Sequence, residues 1–304
     1  MAMYQHYYGL KEAPFSLTPD TEFFFGYEAH QEALNVLLVA LRSGEGFIKV
    51  TGEVGTGKTL VCRKLMGLLD ESFVVAYIPN PQLNPNALRA ALADELGIEF
   101  ARNIGQHRLL KIITDRLVEL SSEGKRVVVL IDEAQAMPEE TLEALRLLTN
   151  LETEKFKLMQ VVMFGQPELN KKLNEQSVRQ LKQRITFSYQ LKPLDKNNIA
   201  GYIQHRLVIA GYEGTELFNA RAIKEITRAS RGVPRLINIL SHKAMLAAFG
   251  QGAKHIDKEH VSMAVKDSEQ ADNKRSIFGW RLTLALSLLV ILTGGIVLVG
   301  GIMI

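Results

Sequence analysis

The chain has 304 residues, of which 47% are apolar and 23% charged, and its net charge is +3. That length and apolar content suit one large domain or two modest ones with a full core, and the near-balance of charge excludes a strong polyanion-binding field. The lone cysteine, Cys62, excludes an intrachain disulfide framework and fits a reducing compartment. The opening residues Met1 to His6 lack the basic and apolar pattern of a signal peptide. Residues 1–27 are aromatic and turn-rich, with Tyr7-Tyr8-Gly9, Pro14-Phe15 and Phe23-Phe24-Phe25, and read as an irregular lead-in. Leu34, Leu37, Leu38 and Leu41 fall at helical spacing and predict a helix over Glu28–Arg42. A strand over 46–51 then enters Gly52-Glu53-Val54-Gly55-Thr56-Gly57-Lys58-Thr59, and a helix over 60–66 leaves it, carrying Cys62 as a buried structural thiol. Further strands are predicted over 73–78, 127–131, 158–165 and 185–191, with helices over 86–96, 105–121 and 141–151 between them. Strands alternating with helices imply a parallel sheet covered on both sides. From Pro193 onward strand signals vanish, and helices are predicted over 197–210, 219–230, 234–249 and 258–268.

The last stretch differs from the rest. Residues 282–304 form an uncharged run of 23 residues, which as a helix would span about 34 Å, enough to cross a hydrocarbon core of about 30 Å. Lys274, Arg275 and Arg281 precede it, with Trp280 where an interfacial aromatic would sit, so the body of the protein is expected on the cytoplasmic side. The organisation expected is therefore a lead-in (1–27), an α/β nucleotide-binding domain (28–192), a helical domain (193–268), a linker (269–281) and a transmembrane helix (282–304) that contacts membrane lipid.

The octapeptide 52–59 fills the Walker A pattern G-x-x-x-x-G-K-[ST] at every specified position. Glycines let the backbone curl into an anion-binding nest at a helix N-terminus, so Gly52, Glu53, Val54, Gly55, Thr56, Gly57, Lys58, Thr59 and Leu60 are the expected phosphate cradle. Lys58 can reach the β- and γ-phosphates of ATP, and the Thr59 hydroxyl can ligate Mg²⁺. Asp132-Glu133 closes the most apolar strand, which is the Walker B pattern. Asp132 is expected to hold Mg²⁺ through its water shell, and Glu133 to polarise the attacking water, though an Asp-Glu pair could also merely begin a helix. Gln166, at the exit of the next strand, is a candidate γ-phosphate sensor. Arg184, in preference to Arg179, could reach a neighbouring subunit's γ-phosphate. Arg235 could fold onto the nucleotide of its own chain from the Gly232-Val233-Pro234-Arg235 turn.

Walker A, Asp132-Glu133, Gly165-Gln166-Pro167-Glu168-Leu169, Gln183-Arg184-Ile185 and Gly232-Val233-Pro234-Arg235 occur in the order found in one family. With the lead-in from Tyr7 to Ser16, Tyr202-Ile203-Gln204-His205-Arg206-Leu207 and Ala210-Gly211, the chain resembles AAA+ ATPases of the general secretion pathway protein A type over residues 4–270. The resemblance implies a P-loop AAA+ fold, a three-layer αβα body with a parallel five-stranded sheet, an all-α lid and a C-terminal membrane helix. It also implies the bacterial inner membrane and a homo-oligomeric ring such as a hexamer. Secretion-type members carry a periplasmic peptidoglycan-binding region after the span, and none is expected from this sequence. The members most similar in that respect serve a type IV pilus, the mannose-sensitive haemagglutinin pilus. The expected function is an ATPase that supports assembly of such a pilus or of a type II secretion complex, with their inner-membrane components as partners. Two alternatives stay open: a nucleic-acid-dependent ATPase of the same core, which the charge and the membrane tail disfavour, and an ATP-binding scaffold with little turnover.

Overall fold

The computed structural model describes residues 4–101, 104–151 and 157–268. The predicted linker and membrane helix lie outside the described residues, among which no helix is long and apolar enough to cross a membrane. The described residues form two compact units. One comprises those of Leu17–Asn198 with Val233–Arg235; the other comprises the described residues up to Ser16, Ile199–Gly232 and the described residues from Leu236.

The first unit is built on β1 (Phe47–Gly52), β2 (Phe73–Ile78), β3 (Arg126–Ile131), β4 (Met159–Gly165) and β5 (Ile185–Leu191). All pairings are parallel, in the order β2-β3-β4-β1-β5. Alternate residues of one strand point to opposite faces. Val127, Val129 and Ile131 pack with Leu88 and Leu92 of α3 (Pro85–Glu95), Ile113 and Leu117 of α4 (Gln106–Ser122) and Leu142 of α5 (Glu139–Leu148). Val128 and Leu130 pack instead with Leu34, Leu37 and Leu41 of α1 (Glu28–Arg42) and with Val61 and Leu65 of α2 (Lys58–Met66). Helices on both faces explain the unbroken apolar run of β3, and each such side chain contributes about 1.5–3 kcal/mol on burial.

Two departures from the predicted elements have local causes. Helix α2 begins at Lys58 rather than Leu60, because Gly57, at φ 96°, takes the left-handed conformation as its N-cap. Short helices α6 (Glu168–Lys172) and α7 (Arg179–Lys182) lie between β4 and β5, where no element is predicted because four or five residues are too few to show a period.

The second unit holds α8 (Ile199–Ile209), α9 (Ala220–Ser230), α10 (Pro234–Gly250, beyond its first turn) and α11 (Lys258–Lys266). Side-chain caps start two of them: Asn219 accepts from the Ala222 amide, and Asp257 forms a capping box with His260. The first described residues join this unit. Tyr4 is buried, with its hydroxyl 2.6 Å from His242 Nδ1, and the Tyr8 hydroxyl donates to the Ala253 carbonyl at 3.0 Å. Buried Arg206 donates from Nε to the Pro14 carbonyl (2.5 Å) and from Nη2 to the Ser16 carbonyl (3.3 Å). The aromatic lead-in is therefore divided: residues to Ser16 pack with helices, and Leu17 onward with the sheet unit.

Candidate active site

The register of the sheet brings the motifs together. Thr51 pairs with Gly165 and Ile131 with Met163, so β1, β4 and β3 finish within about two residues of one another at the C-terminal end of the sheet. The segment after β1 is the Gly-rich loop, that after β4 opens with Gln166, and that after β3 opens with Asp132 and Glu133.

The loop is held in a tight, fixed shape. Gly55 has φ 82°, and a Cβ there would stand 2.6 Å from Arg235 Cβ; at Gly57 a Cβ would meet the His30 ring at 2.9 Å. Thr56 donates its hydroxyl to the Glu53 carbonyl (2.8 Å). His30 Nε2 lies 3.0 Å from the Thr56 carbonyl, which can only accept, so this nitrogen carries the proton. Burial of the imidazole pushes its pKa down to about 4, so it is neutral at physiological pH. The amides of Lys58, Thr59 and Leu60 open α2, where helix geometry gives them no intrahelical acceptor.

Lys58 is buried and bends back on its own loop, donating from Nζ to the carbonyls of Gly52 (2.8 Å) and Glu53 (3.1 Å). Burial lowers its pKa, while Glu133 and Asp132 oppose the shift. The Thr59 hydroxyl donates to Asp132 Oδ2 at 2.6 Å, and Asp132 Oδ1 accepts from the Glu133 amide at 2.9 Å. Burial raises the pKa of Asp132 against those two hydrogen bonds. Glu133 adopts the left-handed conformation, φ 51° and ψ 37°, which costs a non-glycine residue roughly 1 kcal/mol. Its Oε2 accepts from Gln135 Nε2 (2.5 Å) and from Gln166 Nε2 (3.1 Å), and Gln135 Oε1 accepts from the Gln166 amide (2.9 Å). Lys172 of α6 donates to the carbonyls of Gln135 and Met137, 2.6 Å each, and pins the turn after β3.

The structure thus gathers residues Gly52 to Leu60, Asp132, Glu133 and Gln166. Arg235 joins them through its backbone, its amide donating to the Gly55 carbonyl at 3.2 Å, while its side chain is exposed. Arg184 and Arg179 stand apart: Phe47 pairs with Ile185, so Arg184 lies at the N-terminal end of the sheet, one strand length or about 20 Å away. Arg179 is exposed on α7 and Arg184 half-buried before β5. Three residues of this neighbourhood carried no signal in the sequence: His30, Gln135 and Lys172.

Among the described residues no group of three or more His, Cys, Asp or Glu side chains is placed to hold a metal ion. The oxygen pair of Thr59 and Asp132 is what the chain offers, a hydroxyl and a carboxylate suited to Mg²⁺ when nucleotide oxygens and water complete the shell.

Known proteins share this fold. An AAA domain family model matches residues 41–173. The ORC2 protein of Aeropyrum pernix, solved as ADPNP and ADP complexes, superposes with a TM-score of 0.60 at 16% identity, over 83% of this chain and 72% of its own. Cdc6p from Pyrobaculum aerophilum gives a TM-score of 0.65 at 21% identity, over 84% of this chain and 70% of its own. The RuvB Holliday junction branch migration motor of Thermotoga maritima gives 0.55 at 18% identity, over 80% and 70%. The molecule therefore has the P-loop AAA+ α/β fold with a five-stranded parallel sheet. General secretion pathway protein A of Aeromonas hydrophila is 44% identical over 262 residues, 86% of this chain. The chain belongs to the family of that protein and spans about half its length, 48%.

Proposed function

We propose that the chain is a membrane-anchored, Mg²⁺-dependent ATPase whose hydrolysis supports assembly of a type IV pilus, of the mannose-sensitive haemagglutinin kind, or of a type II secretion complex. One observation supports this most: the Gly-rich loop, Asp132, Glu133 and Gln166 meet at the C-terminal end of the sheet, with a hydroxyl and a carboxylate paired for a cation and a second carboxylate held beside them. The loop amides would cradle the ATP phosphates, and Lys58 would exchange the carbonyls of Gly52 and Glu53 for phosphate oxygens. Thr59 and Asp132 would hold Mg²⁺, which when bound neutralises the phosphate charge. Glu133 would orient and polarise the attacking water, and Gln166 would turn its amide toward the γ-phosphate. Arg235 would act on the nucleotide of its own chain. The distance of Arg184 from its own loop favours action in trans, with Arg179 as the alternative, which requires a homo-oligomeric ring such as a hexamer. Residues 282–304 would anchor the chain in a bacterial inner membrane with the ATPase body in the cytoplasm, where the pilus or secretion components are its partners.

Steady-state ATPase assays on the detergent-solubilised full chain test this reading. Hydrolysis should require Mg²⁺ and fall at least about a hundredfold in Lys58→Ala and in Glu133→Gln. Glu133→Gln should still bind ATP and Lys58→Ala should not. Equal turnover in all three proteins would sink the assignment.

A further inference from the structure

Glu133 is braced from a direction that the motif does not specify. Its left-handed backbone places the carboxylate on a turn rather than within an α-helix, so neighbouring helical side chains do not fix its rotamer. Two amides do, and both donate to the same oxygen, Oε2, which leaves Oε1 as the oxygen available to polarise water. The two amides are not equivalent. Gln166 is the side chain that the ATPase reading draws toward the γ-phosphate, and a donor that turns to phosphate leaves Glu133. Gln135 has no such competing duty. Its backbone carbonyl is pinned by Lys172, and its side chain is oriented from both ends. The Gln166 backbone N–H can only donate, so the Gln135 oxygen must face it; the Glu133 carboxylate accepts, so the Gln135 NH₂ must face that. These two partners fix the orientation of the Gln135 amide.

We propose that Gln135 is a positioning residue for hydrolysis: it holds Glu133 by Oε2 with Oε1 toward the water, and keeps hold when Gln166 is drawn to phosphate. The inference rests on the ATPase reading. It adds that the sensor strand and the water-orienting carboxylate are joined through one side chain, so movement at the exit of β4 is transmitted to Glu133.

Gln135→Glu isolates the role. It keeps an oxygen for the Gln166 amide, so the brace between the two turns survives, and replaces only the donor that faces Glu133. Gln135→Met removes both contacts at similar volume. Each is made in the unsubstituted chain and in Glu133→Gln, and kcat, the Kd of a fluorescent ATP analogue and the urea midpoint are measured for all of them. Both variants should lower kcat by about ten- to a hundredfold, with Kd within about threefold, because the loss falls on the chemical step. In the Glu133→Gln background neither should lower the residual rate further, since the residue acts through Glu133. The urea midpoint should fall more on Gln135→Glu in the unsubstituted chain, where two carboxylates are forced together, than in Glu133→Gln. Unchanged kcat in Gln135→Glu would reduce Gln135 to a structural brace and overturn the proposal, as would an equal fall of kcat in both backgrounds. Absence of turnover in the unsubstituted chain counts against the ATPase reading instead. The urea cycle then still decides the contact, because equal midpoint losses in both backgrounds overturn it.

Discussion

His30 shows how a single residue can govern the phosphate loop from outside the motif. It grips the Thr56 carbonyl and occupies the space beside Gly57, so the loop is held from α1 as well as by its own turns. Because burial lowers its pKa to about 4 from an unfolded value near 6.5, the unfolded chain takes up the proton first as pH falls. The stability due to the neutral imidazole is complete above about pH 6.5 and is lost as pH falls through that window toward 4, by an order of about 3 kcal/mol. Urea midpoints measured at pH 7 and pH 4.5 should show that fall, and His30→Gln, which keeps a donor but does not titrate, should flatten it. Gly57→Ala should weaken binding of a fluorescent ATP analogue, since the added methyl meets the His30 ring at a φ that costs about 1–2 kcal/mol. The loop and Asp132-Glu133 were legible because each motif is contiguous and specific to its chemistry. His30 and Gln135 were not: Thr56 lies 26 residues from His30, and Gln135, though two residues from Glu133, is oriented by the Gln166 backbone amide 31 residues on, contacts that exist only once the sheet has formed.

At the scale of elements, α1, β2 and β5 run between the residues their patterns predict, since an apolar period extends over their whole length. Helices α6 and α7, of five and four residues, are too short to show a period. They nevertheless supply Lys172 and the approach to β5. The strand order was equally hidden: nothing local to β1 says that it lies between β4 and β5. One buried polar residue ties that order to a helix end. Gln160, in β4, donates to the carbonyls of Leu41 (3.1 Å) and Glu45 (2.8 Å) where α1 finishes. Gln160→Met would strand the Glu45 carbonyl and should cost about 1–3 kcal/mol in urea unfolding, with little change in ATP affinity.

For the molecule as a whole, the sequence divides into α/β and helical parts, but the packing of the first residues with the helices is a non-local fact that no window reveals. The chain starts in one unit, builds the other and returns to the first. Arg206 holds that return, with its guanidinium on the carbonyls of Pro14 and Ser16. Arg206→Leu should cost about 2–3 kcal/mol and lower the Tm of the helical unit, which circular dichroism melts of the detergent-solubilised chain would register. The position of β1 between β4 and β5 has a consequence for biosynthesis. On the ribosome the phosphate loop is among the first segments to emerge, yet its strand has no neighbour until β4 ends at Gly165 and lacks its second until β5 ends at Leu191. At about 5–20 residues per second, that wait lasts on the order of ten seconds. During it the nascent chain exposes the apolar residues of β1 without a seat for them, and the arrangement proposed to bind nucleotide comes together only when the α/β body is nearly complete.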